Sequence, residues 1–288
     1  MFFHKKTSES KILKIVYLFL TGYPMEPMVP FFHLTEKTIR SILNDAIMHF
    51  SQIQDLKPKP EDYAPRVIMI DEIHVKLKGK QGFYGWLAYD PENRYIIAFQ
   101  LGARDDETLE KLFRKLRNYR KKIELVVIDG YQGYEEMIKK HLSGKGKHQR
   151  PTVGVINKSR YDEKSNKFYA HVLWGENPRK AERLMRKFGV GTEITTALIE
   201  RINGFVRDAL AYMRRRTRRM AGSLEWVEKA LTGITIFHNC VKAHWALSVR
   251  TSENWIKKSV TPAMRIGITE KQMSLRELLG YRILPTPM

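Results

Sequence analysis

Two aspartates and one glutamate are the residues of this sequence whose types and positions are best suited to chemistry. Asp71 ends the apolar run RVIMID, Asp129 ends the run IELVVID, and Glu200 stands in the helical pattern ITTALIERINGFVRDALAYMRRRTRR. Ligands gather at the carboxyl ends of strands in an open α/β sheet, so two strand-end aspartates can converge. Together with Glu200 they offer hard oxygen ligands for two Mg²⁺ ions, which can clamp the attacking and leaving oxygens of an in-line phosphoryl displacement.

This arrangement serves hydrolysis by water and attack by a DNA 3'-hydroxyl equally well. The spacing does not exclude other acids from the same role. These rivals are Glu72, Asp90, Asp105 and Asp106.

The pattern around Glu200 predicts one long helix with a basic face. Residues 201–220 contain seven arginines and one aspartate. Arginine binds phosphate oxygens bidentately, so this face is suited to a DNA backbone beside a metal site. Positions on that face are Glu200, Asn203, Arg207, Arg214 and Arg218. The opposite face carries Leu198, Ile202, Phe205, Ala209 and Met213, which would pack on the sheet.

Charge and composition point to a polyanionic partner. The 288 residues include 51 Lys and Arg against 31 Asp and Glu, a net charge of +20. Neutralising phosphates releases condensed counterions, so such a chain favours nucleic acid. Cys240 is the only cysteine, which excludes internal disulfides and Cys-rich zinc fingers. No apolar stretch reaches the roughly 20 residues of a membrane-spanning helix, and we therefore expect a cytoplasmic protein without a membrane partner.

The N-terminal part, residues 1–54, is predicted to be a small helical domain. In TEKTIRSILNDAIMHF, Thr35 can cap a helix whose start exposes Lys37 and Arg40. A helix-turn-helix places such positions in the major groove of DNA. A helical packing or dimerisation domain remains the alternative. Residues 55–65 (DLKPKPEDYAP) predict a linker, because they combine three prolines with charge and show no apolar period.

The order of patterns after the linker predicts the fold class. Three β-rich runs precede a helix at Asp106–Arg120, a buried strand at Ile123–Asp129 and a helix at Gly130–His141. A further strand is expected at Thr152–Ile156 or Phe168–Leu173, before the helix of Glu200. This is the order of an α/β, ribonuclease-H-like mixed sheet with flanking helices, placed at 66–220. Residues 221–288 are then expected to be a C-terminal helical extension packing on that core, with a helix from Ser223 to Val249.

Six motifs in order also resemble a known family, the DDE-class insertion-sequence transposases, in particular the insertion-sequence-one-like group. Their order over residues 66–280 makes chance similarity a poor explanation. The first three surround the acids: MIDEIHVKLKGK, VIDGYQGY and TTALIERINGFVR. The others are GARDDETL from Gly102, NCVKAHWAL from Asn239 and TPAMRIGIT from Thr261.

The resemblance implies a catalytic core that binds the ends of a mobile element, cuts them and joins the freed 3'-ends to target DNA. It implies Asp71, Asp129 and Glu200 as ligands of Mg²⁺, with Mn²⁺ able to substitute. Arg201 and Asn203 match the family's Glu-Arg-x-Asn pattern, which places them beside the site, touching phosphate or orienting Glu200. The implied partners are double-stranded DNA, as element ends and target, and further copies of the chain in a homodimer or higher oligomer.

The sequence also departs from the family pattern. His74 stands where many relatives have an aromatic residue, and the 71-residue gap from Asp129 to Glu200 is long. Residues 148–191 are therefore expected to hold an inserted subregion. The zinc finger that relatives often carry is absent, so end recognition would rest on the helix-turn-helix candidate. The alternatives are a domesticated or inactive relative that only binds DNA, and a ribonuclease-H-like nuclease.

Overall fold

The computed structural model describes residues 6–53, 56–144, 150–162, 167–250 and 257–282. Parts of the predicted segments lie outside the described residues, among them Asp55 of the linker and His148 of the inserted subregion. The chain forms two compact units. The first comprises Met1–Pro58, Lys76–Lys78 and Phe205–Met288, and the second comprises Lys59–Val75 and Gly79–Gly204. The predicted division at residues 54, 65 and 220 stays a prediction.

The second unit is built on a six-stranded mixed sheet, and this confirms the predicted α/β, ribonuclease-H-like fold class. The strand order is β3-β2-β1-β4-β5-β6, with β1 parallel to β4 and β4 parallel to β5. Strands β2 and β3 pair antiparallel, as do β5 and β6. The strands are β1 Val67–Leu77, β2 Lys80–Asp90, β3 Tyr95–Ala103, β4 Leu125–Asp129, β5 Thr152–Asp162 and β6 Lys167–Val172.

Both candidate strands between the second aspartate and the helix of Glu200 are present. Strand β5 continues the parallel part of the sheet, and β6 folds back on it as the edge strand. The predicted inserted subregion therefore contributes to the sheet itself.

Helices cover the sheet because they carry apolar stripes. The helices of this unit are α4 Asp106–Leu116, α5 Gly133–His141, α6 Pro178–Lys187 and the first part of α7 Ala197–Ala209. On α4, Leu109, Leu112 and Leu116 are fully buried, as their helical spacing predicts. They join α5 side chains and the alternate residues Ile68 and Ile70 of β1 in one core. Period-2 alternation then directs Asp71 to the other face.

The first unit is mainly helical, in both its N-terminal and its C-terminal segments. Its helices are α1 Glu9–Leu20, α2 Met25–Phe32, α3 Glu36–Gln52, α8 Leu224–Ile236, α9 Pro262–Arg265 and α10 Leu275–Leu279. The Thr35 hydroxyl caps α3 by accepting a hydrogen bond from Thr38 N, 3.2 Å away. Helix α3 packs on α8, where Gly233 leaves room for Phe50. A two-stranded ribbon, β7 Val249–Arg250 and β8 Lys257–Lys258, completes the unit. Within the described ranges, every helix is too short or too polar to cross a bilayer.

Two predicted helices are shorter than the sequence pattern suggested, and both predictions are wrong in extent. Helix α7 ends at Ala209, so Arg214 and Arg218 are not on the same helical face as Glu200. Arg214 donates to the carbonyls of Arg207 and Asp208 at 3.1 Å each, which satisfies two terminal acceptors. The run of arginines beyond it would also repel itself in a helix.

The helix expected from Ser223 to Val249 begins as predicted, because the Ser223 hydroxyl caps α8. It ends at Ile236 and is followed by a single π-helical segment, Phe237–Val241. A later part of the chain binds the carbonyls there: Gln272 Nε2 donates to Val241 O at 2.7 Å and Met273 N donates to Cys240 O at 3.1 Å. These contacts replace helical hydrogen bonds and stop the helix.

Candidate active site

The register of the parallel strands brings the two predicted aspartates level with each other. Val67 pairs with Leu125 and Met69 pairs with Val127. Asp71 and Asp129 each stand two residues further along, so they continue the same alignment on adjacent strands. Asp129 is the last residue of β4, as predicted. Asp71 lies inside β1 rather than at its end, because β1 continues to Leu77 alongside β2.

The acids that lie closest together are Asp71, Glu72 and Asp129. One ligand oxygen from each falls within 4.8 Å of the others. Glu72 was a rival acid in the sequence, and the structure brings it into this cluster. The Tyr131 backbone N–H donates to Asp129 Oδ1 at 3.2 Å and fixes the turn after β4.

Glu72 is largely buried, and one partner, Arg104, holds its side chain. Its side chain is 11% exposed and forms a 2.6 Å ion pair with Arg104. Burial raises the pKa of Glu72 to about 7, and the charges of Asp129 and Asp71 add to this effect against the opposing charge of Arg104. Glu72 Oε2 is buried and accepts no hydrogen bond from any residue that the structure describes. An oxygen in that state is available to a cation.

Glu200 lies beside this cluster, and a hydroxyl group just before its own helix holds its side chain. Its side chain is 47% exposed, and Glu200 Oε1 accepts a 2.9 Å hydrogen bond from the Thr196 hydroxyl. The segment before α7 approaches β5 closely at Gly154, where an added Cβ would lie 2.8 Å from the Ile194 side chain. A larger residue at position 154 would push this segment away from the sheet.

Asn203 connects the helix of Glu200 directly to the first aspartate. Asn203 is fully buried, and its Nδ2 donates to Asp71 Oδ2 at 2.8 Å. The residue therefore orients Asp71. The family resemblance implied that Asn203 touches phosphate or orients Glu200, whereas the hydrogen bond in the structure is to Asp71.

Lys158 stands among these acids, although it was not among the residues predicted from the sequence. Lys158 Nζ lies 3.0 Å from Glu200 Oε1 and 3.7 Å from Asp71 Oδ1. Burial alone would lower the pKa of the Lys158 ammonium, but Asp71, Glu200 and Asp129 outweigh burial and raise it. Burial in turn raises the pKa of Asp71, with Lys158 opposing and Asp129 adding to the shift. The signal for Lys158 was its place two residues after the apolar run VGVI of β5.

Tyr134 forms the inner wall of the site. Its ring is fully buried and packs against Trp86 and Phe113. Its hydroxyl contacts no hydrogen-bonding partner within the described ranges. Burial raises the pKa of Tyr134, and the carboxylates of Asp129, Glu72 and Asp71 raise it further, which places the phenol near them.

The remaining rival acids have structural contacts. Asp90 is buried and accepts hydrogen bonds from Tyr63 Oη at 2.7 Å and Asn93 Nδ2 at 2.7 Å. Asp105 caps α4 by accepting from Thr108 N at 2.8 Å. Asp106 Oδ1 lies 3.4 Å from the Tyr131 hydroxyl. The structure therefore groups only Glu72, among the four rivals, with Asp71 and Asp129.

Of the predicted DNA-contacting arginines, Arg201 and Arg207 lie on different sides of α7, and Arg214 and Arg218 lie beyond its end. Arg201 is exposed, and its charge acts on the Tyr89 phenol. Arg207 is half-buried, Arg214 caps the end of α7, and Arg218 is exposed in the irregular segment beyond it. Arg207, Arg214 and Arg218 belong to the first unit.

Helix α3 presents the other predicted contacts. Lys37 and Arg40 are both exposed near its start, and Arg40 pairs with Glu36 at 2.5 Å. A groove of about 760 Å³ lies in this unit, with basic residues on its wall. The basic and aromatic residues that line it are Phe19, Tyr23, Arg40, Tyr212, Arg214, Arg216, Arg219 and Trp226.

The acidic cluster fits divalent metal ions by the chemistry of its donors. Carboxylate oxygens are the ligands that Mg²⁺ and Mn²⁺ prefer, and three such oxygens already lie within reach of one ion. Glu72 Oε2, which accepts no hydrogen bond within the described ranges, leaves a further oxygen at this cluster for such an ion.

Comparison with known proteins agrees with this geometry. Residues 66–170 match the IS240 transposase family model, described as a DDE domain, which includes Asp71 and Asp129 and ends before Glu200. No curated protein matched the chain. A DDE domain with an acidic cluster indicates an enzyme of the transposase or nuclease type that uses divalent metal and acts on DNA. The narrower insertion-sequence-one-like group stays a prediction. Over residues 66–170, the resemblance to DDE-class insertion-sequence transposases is thus confirmed.

Proposed function

We propose that this chain is a DNA transposase that binds the ends of an insertion sequence and catalyses metal-dependent strand cleavage and strand transfer. The observation that carries the proposal is the alignment of Asp71 and Asp129 on adjacent parallel strands of a DDE domain, with the helix of Glu200 joined to Asp71 through Asn203. Phosphoryl transfer depends on positioning and electrostatic stabilisation, and the alignment of these residues provides the positioning.

Asp71, Asp129 and Glu200 are proposed to hold Mg²⁺, or Mn²⁺ in its place, with Glu72 beside them. When bound, such ions neutralise developing charge on phosphate oxygens and lower the pKa of an attacking water or hydroxyl. Asn203 keeps Asp71 in a fixed orientation through its 2.8 Å hydrogen bond. Arg104 balances part of the charge of Glu72 through their ion pair. Tyr134 and its aromatic neighbours close the inner side of the site to water.

DNA is proposed to bind through the first unit as well. Helices α2 and α3 are joined by a short turn through His33, which has the left-handed backbone conformation at φ 53°. This is compatible with a helix-turn-helix whose second helix offers Lys37 and Arg40 to a major groove. Arg207, Arg214 and Arg218, together with Arg201 of the second unit, are proposed to contact phosphates, because each is an arginine of the basic segment.

Three further expectations belong to this proposal. Residues 1–54 act as the DNA-recognition domain, residues 66–220 carry catalysis, and residues 221–288 are a helical extension. The protein works as a homodimer or higher oligomer, because two element ends must be held together. It acts in the cytoplasm, bound to the DNA of the nucleoid.

The test is cleavage and joining of labelled DNA that carries the sequences flanking the gene, with Mg²⁺ or Mn²⁺. Wild type is compared with Asp129→Asn and Glu200→Gln, and with Glu107→Gln as a control at an exposed glutamate of α4. We expect metal-dependent joined products from the wild type and the control, and their loss in both site variants. Nicks without joining would favour a nuclease instead. Salt-sensitive binding with no cleavage under either metal would favour a DNA-binding protein.

A further inference from the structure

Lys158 lies at the surface, yet it contacts acids of the proposed metal site. Neither DNA binding nor folding requires these contacts. Its ammonium lies between carboxylates from two different secondary structures, at 3.0 Å from Glu200 and 3.7 Å from Asp71. The side chains of Lys158 and Glu200 are 37% and 47% exposed, whereas that of Asp71 is 7% exposed, so the ammonium joins a buried carboxylate to one that is open to solvent. A lysine that bridges a strand and a helix in this way links the two parts of the proposed metal site.

Strand register explains why Lys158 reaches this position. Asp129 pairs with Ile156 across β4 and β5. Strand β5 runs past the end of β4, and its pairing with β6 shifts register between Asn157 and Tyr161, so Lys158 lies in an irregular stretch just beyond Asp129. Its long side chain then meets Asp71 and Glu200 near the end of β4.

The carboxylates around Lys158 explain what its positive charge does at this site. Asp71, Glu72, Asp129 and Glu200 would bring up to four negative charges together. Like charges at this separation disfavour ionisation of one another and weaken the folded site. One ammonium among them offsets part of that repulsion, as a bound cation would. Arg104 contributes on the other side, through Glu72.

We propose that Lys158 is an internal placeholder cation: it bridges Asp71 and Glu200 until a divalent metal ion displaces its ammonium. This inference rests on the proposed function, since it concerns the same ligands. The ammonium and the metal ion compete for oxygens of Asp71 and Glu200, so metal binding is coupled to the release of Lys158. Lys158 is thus a positioning residue that keeps Glu200 beside Asp71 in the metal-free protein.

The test measures Mn²⁺ binding to the DNA-free full chain by electron paramagnetic resonance of the free ion. Lys158→Gln removes the competing charge, so we expect its apparent Kd to be about five- to tenfold lower than that of the wild type. Lys158→Arg keeps the charge and should stay within about twofold. Lys111→Gln is the matched control, because Lys111 forms an exposed ion pair with Glu107 on α4.

A second readout separates competition from simple loss of structure. In the presence of a chelator, Lys158→Gln should melt about 3 °C below the wild type, because the carboxylates then repel without compensation. Added Mn²⁺ should raise its Tm by more than it raises that of the wild type. Unchanged or weaker Mn²⁺ binding in Lys158→Gln would overturn the inference.

Asp129→Asn shows whether the bound Mn²⁺ occupies the proposed site. If the wild type binds Mn²⁺ and Asp129→Asn does not, the proposed metal site stands whatever Lys158→Gln does. If Asp129→Asn binds Mn²⁺ as well as the wild type, the proposed site itself is wrong, and the inference falls with it.

Discussion

Asn203 and Asp71 are 132 residues apart in the sequence, yet the amide of Asn203 donates a 2.8 Å hydrogen bond to Asp71 Oδ2. Both side chains are buried. Asn203 lies one helical turn beyond Glu200, so the same turn of α7 that carries the glutamate also fixes the first aspartate. The position of Glu200 relative to Asp71 is therefore set by one short segment of helix.

Asn203→Ala should weaken metal binding and DNA cleavage together. Residues that orient metal ligands without touching the metal typically contribute about 10- to 100-fold in affinity or activity. We expect a loss in that range for Mn²⁺ affinity, measured by isothermal titration, and a similar loss of cleavage rate. Asn118→Ala, at an exposed position, is the control. Normal Mn²⁺ affinity in a folded Asn203→Ala protein would show that Asp71 needs no such support.

Glu72 should make the metal-free protein less stable as the pH rises. Its pKa in the folded protein is about 7, above the ordinary value of 4.5, so the folded state keeps a proton that the unfolded chain has already lost. The free energy of unfolding must then fall between about pH 4.5 and pH 7, by on the order of 3 kcal/mol. Denaturant titrations in a chelating buffer at several pH values measure this.

Glu72→Gln removes the titrating group, so its stability should change less with pH over the same range. Glu107→Gln, at an exposed glutamate, should follow the wild type. A wild-type protein that loses no stability relative to Glu72→Gln between pH 4.5 and 7 would contradict the raised pKa.

The sequence predicted the sheet and the two aspartates because both depend on local patterns. Apolar runs define β1 and β4, and their parallel register then aligns Asp71 with Asp129. Glu72 and Lys158 could not be ranked in the same way. The role of Glu72 depends on which acids it meets across the sheet, and that of Lys158 depends on the pairing of β4 with β5, which no single run of sequence contains.

The extent of α7 was the clearest error, and its cause is physical. Helical spacing continues through Arg214 and Arg218, so the pattern alone favours one long helix. The pattern does not include repulsion within the arginine run, or the hydrogen bonds of Arg214 to the carbonyls of Arg207 and Asp208. Both effects favour an end at Ala209.

Asp90 should matter for stability and not for metal binding. Its carboxylate accepts hydrogen bonds from Tyr63, from Asn93 and from the backbone N–H groups of Glu92 and Asn93. Asp90→Ala leaves these buried donors without an acceptor, which should lower the free energy of unfolding by about 2 to 4 kcal/mol. Chemical denaturation measures that loss. Mn²⁺ affinity at a temperature where the variant is folded should equal that of the wild type, and a large change in it would show that Asp90 belongs to the metal site.

Lys37 and Arg218 should affect DNA binding in different ways, because one lies on the proposed recognition helix and the other in the irregular basic segment. Arg218→Ala should weaken binding to all duplexes alike and reduce the slope of log K against log salt by about 1, as expected for one lost phosphate contact. Lys37→Ala should reduce the preference for the flanking sequences over unrelated DNA.

Fluorescence anisotropy with both duplexes at several salt concentrations distinguishes these effects. Lys121→Ala is the control, since Lys121 is an exposed lysine of the second unit outside both predicted surfaces. If Lys37→Ala lowered affinity for both duplexes by the same factor, α3 would contact only the phosphate backbone, and the helix-turn-helix interpretation would lose its support. If Lys121→Ala matched Arg218→Ala in salt slope, the basic charge would act as a whole, and no defined phosphate contact would lie in the segment after α7.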